Sequence, residues 1–215
     1  DTTILGSNPS APAKLMKKIS TNTLLSKIRN KLFPFYKSRD IAKVFNILEK
    51  DNLIKNRKVA MFVGGCVRKF ILNEEIDDID VATILTPDKI KEKFKNSEIK
   101  IVETGLDHGT VTIFVNKTKI ELTTLRKDIS TDGRHAEVSF IDDWTADSLR
   151  RDFTINAIYL DRRGKFFDPQ KGQEDLKDNI VRFIGDPSKR IEEDYLRIIR
   201  FIRFSLLYNN EKIDN

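Results

Sequence analysis

The sequence predicts a mixed α/β domain that gives way near Asp186 to the start of an all-helical segment, and three observations predict it. Short apolar runs edged by turn residues read as strands: 58–63 (KVAMFV), 79–82, 110–115 and 119–125. Before and between them lie stretches such as 41–48 and 66–73, whose apolar residues recur three and four apart, the spacing of one helix face. From Asp186 the strand signals stop, and EEDYLRIIRFIRFSLLY follows as a charged amphipathic helix. Strands alternating with helices, then helices alone, call for a sheet with helices packed on it and a helical extension.

Residues 1–13 (DTTILGSNPSAPA) read as a disordered tail or expression remnant and stand outside the fold. Residues 14–57 form an N-terminal helical segment: a basic amphipathic helix over 14–30, interrupted at Ser20-Thr21-Asn22, then a helix over 41–48 capped by Asp40. The main domain, 58–185, opens with a strand that stops at Gly64-Gly65, and CVRKFILN continues as a helix. The strand 79–82 leads to a helix begun by Pro87, whose fixed φ suits a first turn, and ending at Phe94. A strand at 100–102 precedes 110–115 and 119–125, the last two joined by an Asn116-Lys117-Thr118 turn. Residues 127–136 are polar and carry a glycine, so they read as a loop. A helix over 146–157 and a hairpin, YLDRRGKFFD, turning at Arg163-Gly164 complete the domain; 186–215 begins the helical part.

With 39 Lys+Arg against 33 Asp+Glu the net charge is +6, which suits a polyanionic partner and is equally an ordinary solubility device. One cysteine excludes an internal disulfide framework, and Cys66 with only His108 and His135 argues against a zinc site. No apolar run is long enough to span a bilayer, and the N-terminus lacks an apolar signal core, which favours the cytoplasm.

The stretch EEIDDIDVAT, 74–83, concentrates acid at the mouth of a strand. On a strand, i and i+2 share a face, so Asp78 and Asp80 point one way while Ile79 and Val81 point into the core. Asp77 falls out of phase and belongs to the turn. Two adjacent carboxylates repel unless a cation lies between them, and oxygen-only ligands suit Mg²⁺ completed by water and phosphate. A bare Asp-x-Asp is more often a solvated strand face, but its neighbours matter. Upstream, Gly64-Gly65 lets backbone N–H groups approach a phosphate at a helix N-terminus, and Arg68 adds a forked donor. Downstream, Glu121 lies on a strand that can pair near Asp80 as a third acid, or else is simply an exposed strand residue. Cys66 reads as a small buried apolar residue, since phosphoryl transfer of this kind needs no protein nucleophile. His108 reads as a capping or core residue and Trp144 as a packing one.

Together VGGCVRKFILN (63–73), DDIDVAT (77–83), HGTVTI (108–113), IELTTLRKD (120–128), TDGRHAEV (131–138), RRDFTINAIYLD (150–161), FFDPQKGQEDLKDNIVRFIGDP (166–187) and RIEEDYLRIIRFIRFS (190–205) resemble the class II tRNA nucleotidyltransferase and poly(A) polymerase family. The resemblance implies a polymerase-β-like nucleotidyltransferase head followed by the start of a helical neck. It implies Asp78 and Asp80 as the metal-binding catalytic pair, with Glu121 as the third acid. Gly64, Gly65 and Arg68 resemble the triphosphate-binding turn; Arg151, Asp152 and Asn156 match the motif that handles ribose and phosphates. Glu193, Asp194 and Arg197 match the element that reads the incoming base. Mg²⁺, CTP, ATP and a tRNA 3′ end are the implied cofactor and partners, with no membrane. One departure stands out: Lys69 occupies a position where the family usually has Asp. The loop at 127–136 resembles the element that helps CCA-adding members change from C to A.

The base-reading element has its own chemistry. On a continuous helix Asp194 and Arg197 would be i and i+3 neighbours on one face, and an ionised Asp only accepts hydrogen bonds while Arg only donates. Cytosine and adenine each offer an amine donor beside a ring-nitrogen acceptor; guanine and uracil reverse that order. An Asp/Arg couple therefore complements C and A, although a plain surface salt bridge is the alternative. Arg190, Arg200 and Arg203 serve equally well as phosphate contacts or as solubilising charges. The reading is CCA addition; the alternatives are a poly(A) polymerase of the same family, a truncated member that binds without much turnover, or one half of a split enzyme whose tRNA-gripping helical domains sit on a second polypeptide.

Overall fold

In a computed structural model of the chain, described for residues 32–50, 57–105, 109–132 and 135–208, a seven-stranded sheet carries the fold. Helices and strands follow in the order α1 (Arg39–Glu49), β1 (Ala60–Val63), α2 (Gly65–Ile71), β2 (Ile79–Thr83), α3 (Pro87–Phe94), β3 (Lys100–Gly105), β4 (Thr110–Val115), β5 (Thr118–Thr124), β6 (Arg126–Asp132), β7 (His135–Phe140), α4 (Trp144–Leu149), β8 (Tyr159–Leu160), β9 (Phe166–Phe167), α5 (Gly172–Lys177), α6 (Pro187–Glu193) and α7 (Leu196–Tyr208). Sheet order is β3-β4-β5-β2-β1-β8-β9, and only β2 with β5 runs parallel. The expected mixed α/β architecture is what forms.

The core sits where apolar periods meet. All four residues of β1 are buried, as an unbroken apolar run at the centre of a sheet demands. Ile41, Val44, Phe45 and Leu48 of α1 and Ile90 and Phe94 of α3 join Phe62, Val81, Ile113, Ile120 and Leu122 in one cluster. A smaller cluster on the opposite face gathers Met61, Val63, Ala82, Leu125 and Tyr159, with Trp144 packed edge-on against Tyr159. No described helix is long and apolar enough to cross a membrane.

Four local expectations change. The α1 cap is Ser38, which accepts from the Ile41 N–H; Asp40 instead accepts from Asn116 and Thr118, tying α1 to the β4–β5 turn. Residues expected as a loop form the β6–β7 hairpin, a separate two-stranded sheet with an irregularity between Asp128 and Ser130. Polarity misled here because this ribbon lies outside the main sheet. The helix expected over 146–157 ends at Leu149, because the backbone is claimed elsewhere: Thr154 N–H donates to Arg182 C=O, and Asp152 C=O accepts from Ile184. Finally, the long C-terminal helix breaks at Asp194, whose extended backbone (φ −158°, ψ 102°) separates α6 from α7. The basic helix expected over 14–30 lies outside the described residues, as does His108.

Gly172, at the start of α5, lies so close to the short 3-10 turn Thr154–Asn156 that a Cβ there would stand 2.2 Å from the Thr154 carbonyl oxygen. We expect Gly172→Ala to cost about 1–3 kcal/mol through forced backbone shifts, read as a lower urea midpoint at unchanged slope.

Candidate active site

A cleft of about 470 Å³ opens where the glycine turn, β2, β6, the segment after α4, the Asp194 break and α7 converge. The turn comes first. Gly64 has φ +73°, a left-handed conformation that L side chains rarely adopt, and it is the residue from which α2 starts. A Cβ there would lie 3.5 Å from Asp80 Oδ2, so the turn rests against that carboxylate.

Asp80 begins the inner half of β2 and is paired in register with Glu121 on β5. Burial pushes its carboxyl pKa up, and the Glu121 and Asp78 charges push the same way while Arg151 opposes them. Asp78 precedes the strand and is exposed; Glu121 is half-buried and held by Lys119 at 2.6 Å. Neither is among the residues that line the cleft. Among the described residues no three His, Cys, Asp or Glu side chains cluster tightly enough to hold a metal unaided. The donors are nevertheless all oxygens, and their mutual repulsion at Asp80 is what a divalent cation would relieve. They fit a hard cation whose shell is completed by phosphate and water.

Arg68, expected to point at phosphates, is buried: it donates to Asn156 Oδ1 and, through Nε, to Tyr208 Oη at 3.0 Å, while still lining the cleft. Asn156 donates to Asp152 Oδ1 at 3.0 Å, and Asp152 Oδ2 meets Arg200 Nη2 at 2.7 Å. Lys69 pairs with Asp77 at 2.7 Å, so the departure from the family's pattern still yields an ion pair, one that ties α2 to the loop ahead of Asp78. Cys66 is buried with its thiol pushed up to about 12 by burial and the nearby Asp80 charge, unfit for a nucleophile.

Asp194 and Arg197 both line the cleft, but not as neighbours on one helical face. Asp194 sits in the break and its Oδ1 accepts from Leu196 N–H; Arg197 donates to Arg190 C=O and to Glu193, each at 2.7 Å. Glu193 is therefore a brace, bonded also to Arg190, and is not itself on the cleft wall. Arg190 in turn donates to the Arg150 and Arg151 carbonyls, so α6 is fastened to the segment carrying Arg151.

Sequence reasoning missed Asp147, although its spacing of three and four before Arg150 and Arg151 is a helical ion-pair signal. Fully buried, its carboxylate accepts from Arg150 Nε (2.8 Å), Arg151 Nη2 (3.0 Å), Tyr159 Oη (2.7 Å) and the Arg126 N–H (3.2 Å). Burial opposes its ionisation, yet Arg151 and Arg150 hold its pKa down to about 2. Arg151 is fixed above the Tyr159 ring, 5.2 Å from its centre. Arg126, Asp128, Arg150 and Phe204 complete the cleft and were not singled out as site residues either.

Residues 60–182, more than half of the chain, match the Poly A polymerase head domain. The chain belongs to that family. Its head is 45% identical over 152 residues to the Homo sapiens CCA tRNA nucleotidyltransferase 1, mitochondrial, spanning 70% of this chain and 35% of that protein. It is 43% identical over 155 residues to the Oceanobacillus iheyensis CCA-adding enzyme, spanning 71% of this chain and 38% of the relative. The head also superposes on the crystal structure of the Bacillus stearothermophilus CCA-adding enzyme in complex with CTP, with a TM-score of 0.65, 33% identity, and 78% and 39% of the two chains covered. The chain thus spans well under half the length of the relatives it matches.

We expect Asp147→Asn to cost about 3–5 kcal/mol at neutral pH, because it leaves two half-buried guanidiniums, bound to a fully buried side chain, short of a counter-charge. Since the folded pKa lies below the ordinary 3.8, the stabilisation is present above pH ~4 and is lost as pH falls towards ~2. Urea midpoints measured across that window should fall for the native chain and stay flatter for the variant.

Proposed function

We propose that this chain is the catalytic head of a template-independent nucleotidyltransferase that adds C and A, from CTP and ATP, to tRNA 3′ ends and releases pyrophosphate. The observation that carries the reading is the convergence, in one cleft, of a left-handed glycine turn, the Asp80 carboxylate and the Asp194/Arg197 couple. Phosphate, reaction centre and base each have a matching wall. The relatives named above are CCA-adding by name, and the crystallised one binds CTP.

In this reading the terminal 3′-hydroxyl attacks the α-phosphate: the O3′–Pα bond forms as the bond to pyrophosphate breaks. Asp78 and Asp80, with Glu121 in register beside Asp80, would hold Mg²⁺, which would supply activation of the hydroxyl and neutralisation of the triphosphate. Gly64 and Gly65 present backbone N–H groups to the triphosphate, with Arg68 and Arg151 as fixed cations beside it. Arg151 keeps its charge because burial is outweighed by Tyr159 and Asp147, which raise its pKa. Asp152 and Asn156 face the ribose. Asp194 accepts from the exocyclic amine of C or A, and Arg197 donates to the adjacent ring nitrogen; G and U would meet donor with donor and acceptor with acceptor. Bracing by Glu193 and the Arg190 carbonyl holds the Arg197 fork in place for that comparison. The compartment proposed is the cytoplasm; the human relative is mitochondrial by name, and cell fractionation separates the two.

Extension of a tRNA lacking its last three residues tests the reading. Asp80→Ala should lower incorporation by roughly a hundredfold or more, the scale of removing one preorganised electrostatic group. Arg197→Ala should relax the preference for C and A over G and U by about 1–3 kcal/mol, read as competitive incorporation ratios. Unchanged preference would refute base reading by this couple. CTP supplied alone distinguishes a poly(A) polymerase, which would scarcely use it.

A further inference from the structure

Helix α7 buries a single side chain, Phe204, and leaves Ile198, Ile199, Ile202, Leu206 and Leu207 exposed. A helix with so little burial needs something else to fix where it sits. Phe201 stacks on Phe183 at 5.4 Å, and Phe204 lies edge-on to Phe153 at 5.6 Å. Such contacts hold the helix against the head, but apolar contact is non-directional and tolerates sliding. Besides the bonds of Arg197 to α6, the directional contacts of α7 with the head among the described residues lie on one side. Arg200, Phe204 and Tyr208 are spaced by four and so share a face. All three meet one continuous polar relay: Arg200 binds Asp152, Asp152 accepts from Asn156, and Asn156 accepts from Arg68. The Arg68 guanidinium carbon lies 4.6 Å from the Phe204 ring centre and 5.6 Å from that of Tyr208, and its Nε donates to Tyr208 Oη at 3.0 Å. The two rings are themselves stacked, 6.1 Å apart.

We propose that Phe204 and Tyr208 are positioning residues: by clasping Arg68 they set the height of α7 on the head, and with it the distance of Asp194 and Arg197 from the glycine turn. Arg68 belongs to α2, the helix that starts at that turn, so the clasp joins the phosphate end of the cleft to the base end through one guanidinium. A slip of one helical turn, about 5.4 Å, would carry Arg197 away from any base anchored by its phosphates. The inference rests on the reading that Asp194 and Arg197 select the base.

The test uses the whole chain, native and as Tyr208→Phe, which removes one hydroxyl, and Phe204→Leu, which keeps apolar burial but removes the ring face. Amide hydrogen exchange is followed over 196–203 and in β1, β2 and β5; CTP and UTP affinities are measured with Mg²⁺. Tyr208→Phe should speed exchange over 196–203 by about tenfold, the worth of one hydrogen bond to a charged group, with the strands unaffected. Both variants should lose CTP affinity by about fivefold to tenfold, the scale of a cation–π contact, and lose less for UTP, so that the preference narrows. Unchanged exchange over α7 in both variants overturns the clasp. So does an equal loss for CTP and UTP, which is what general loosening would produce. A native chain without any preference for CTP over UTP overturns the base reading itself, a result distinct from the other two.

Discussion

A carboxylate with no water around it must be surrounded by donors, and Asp147 is where this head meets that constraint. Its partners come from three separate elements: Arg150 and Arg151 just past α4, Tyr159 in β8, and the backbone N–H of Arg126 at the start of β6. Removing one charge from such a cluster strands the others in a medium that solvates them poorly. The cluster therefore ties the β6–β7 hairpin, α4 and the central sheet to each other, and it holds Arg151 rigid at the cleft. Preorganisation of this kind spares a charged site reorganisation when substrate arrives.

Several other buried or half-buried carboxylates follow the same logic, and Asp80 does not. Asp152 is matched by Arg200 and Asn156, and Asp175 by Arg182 and Thr154, while Glu193 is shared by Arg190 and Arg197. Asp80 is different: burial and two neighbouring carboxylates all work against its ionised form, and the nearest surface is a bare glycine turn. A site that leaves one acid electrostatically unsettled beside several guanidiniums suits the proposed substrate, a polyanion arriving with a cation. The repulsion at Asp80 and the cationic wall are complementary halves of that arrangement.

In the proposed function, base specificity rests on slender contacts of the two C-terminal helices. Asp194 and Arg197 do not act as a ready-made surface pair; a break in the helix falls at Asp194, and each is anchored by different atoms. This is better suited to reading a base than a closed salt bridge would be, since neither group is spent on the other. It also makes their spacing depend on how α6 and α7 are fastened to the head. Arg190 does this for α6 through two backbone carbonyls, and the aromatic-guanidinium contacts of Arg68 do it for α7.

Much of this was legible in one dimension. Apolar runs, the paired glycines and the Asp-x-Asp alternation mark the main strands and the turn at Gly64-Gly65, because each follows from local backbone geometry; that Asp80 stands in register with Glu121 is decided by the sheet. Asp147 was also within reach of its helical spacing. Tertiary structure alone decided the rest. The helix after Asp147 ends early because Asp152 and Thr154 bond to residues some thirty positions away. The ribbon at 126–140 is polar because it stands clear of the main sheet. Arg68 is clasped by Tyr208, 140 residues further along. No local pattern encodes such partners: hydrogen-bond donors and charges find them by proximity in the fold, and proximity across the chain is what a linear sequence does not display.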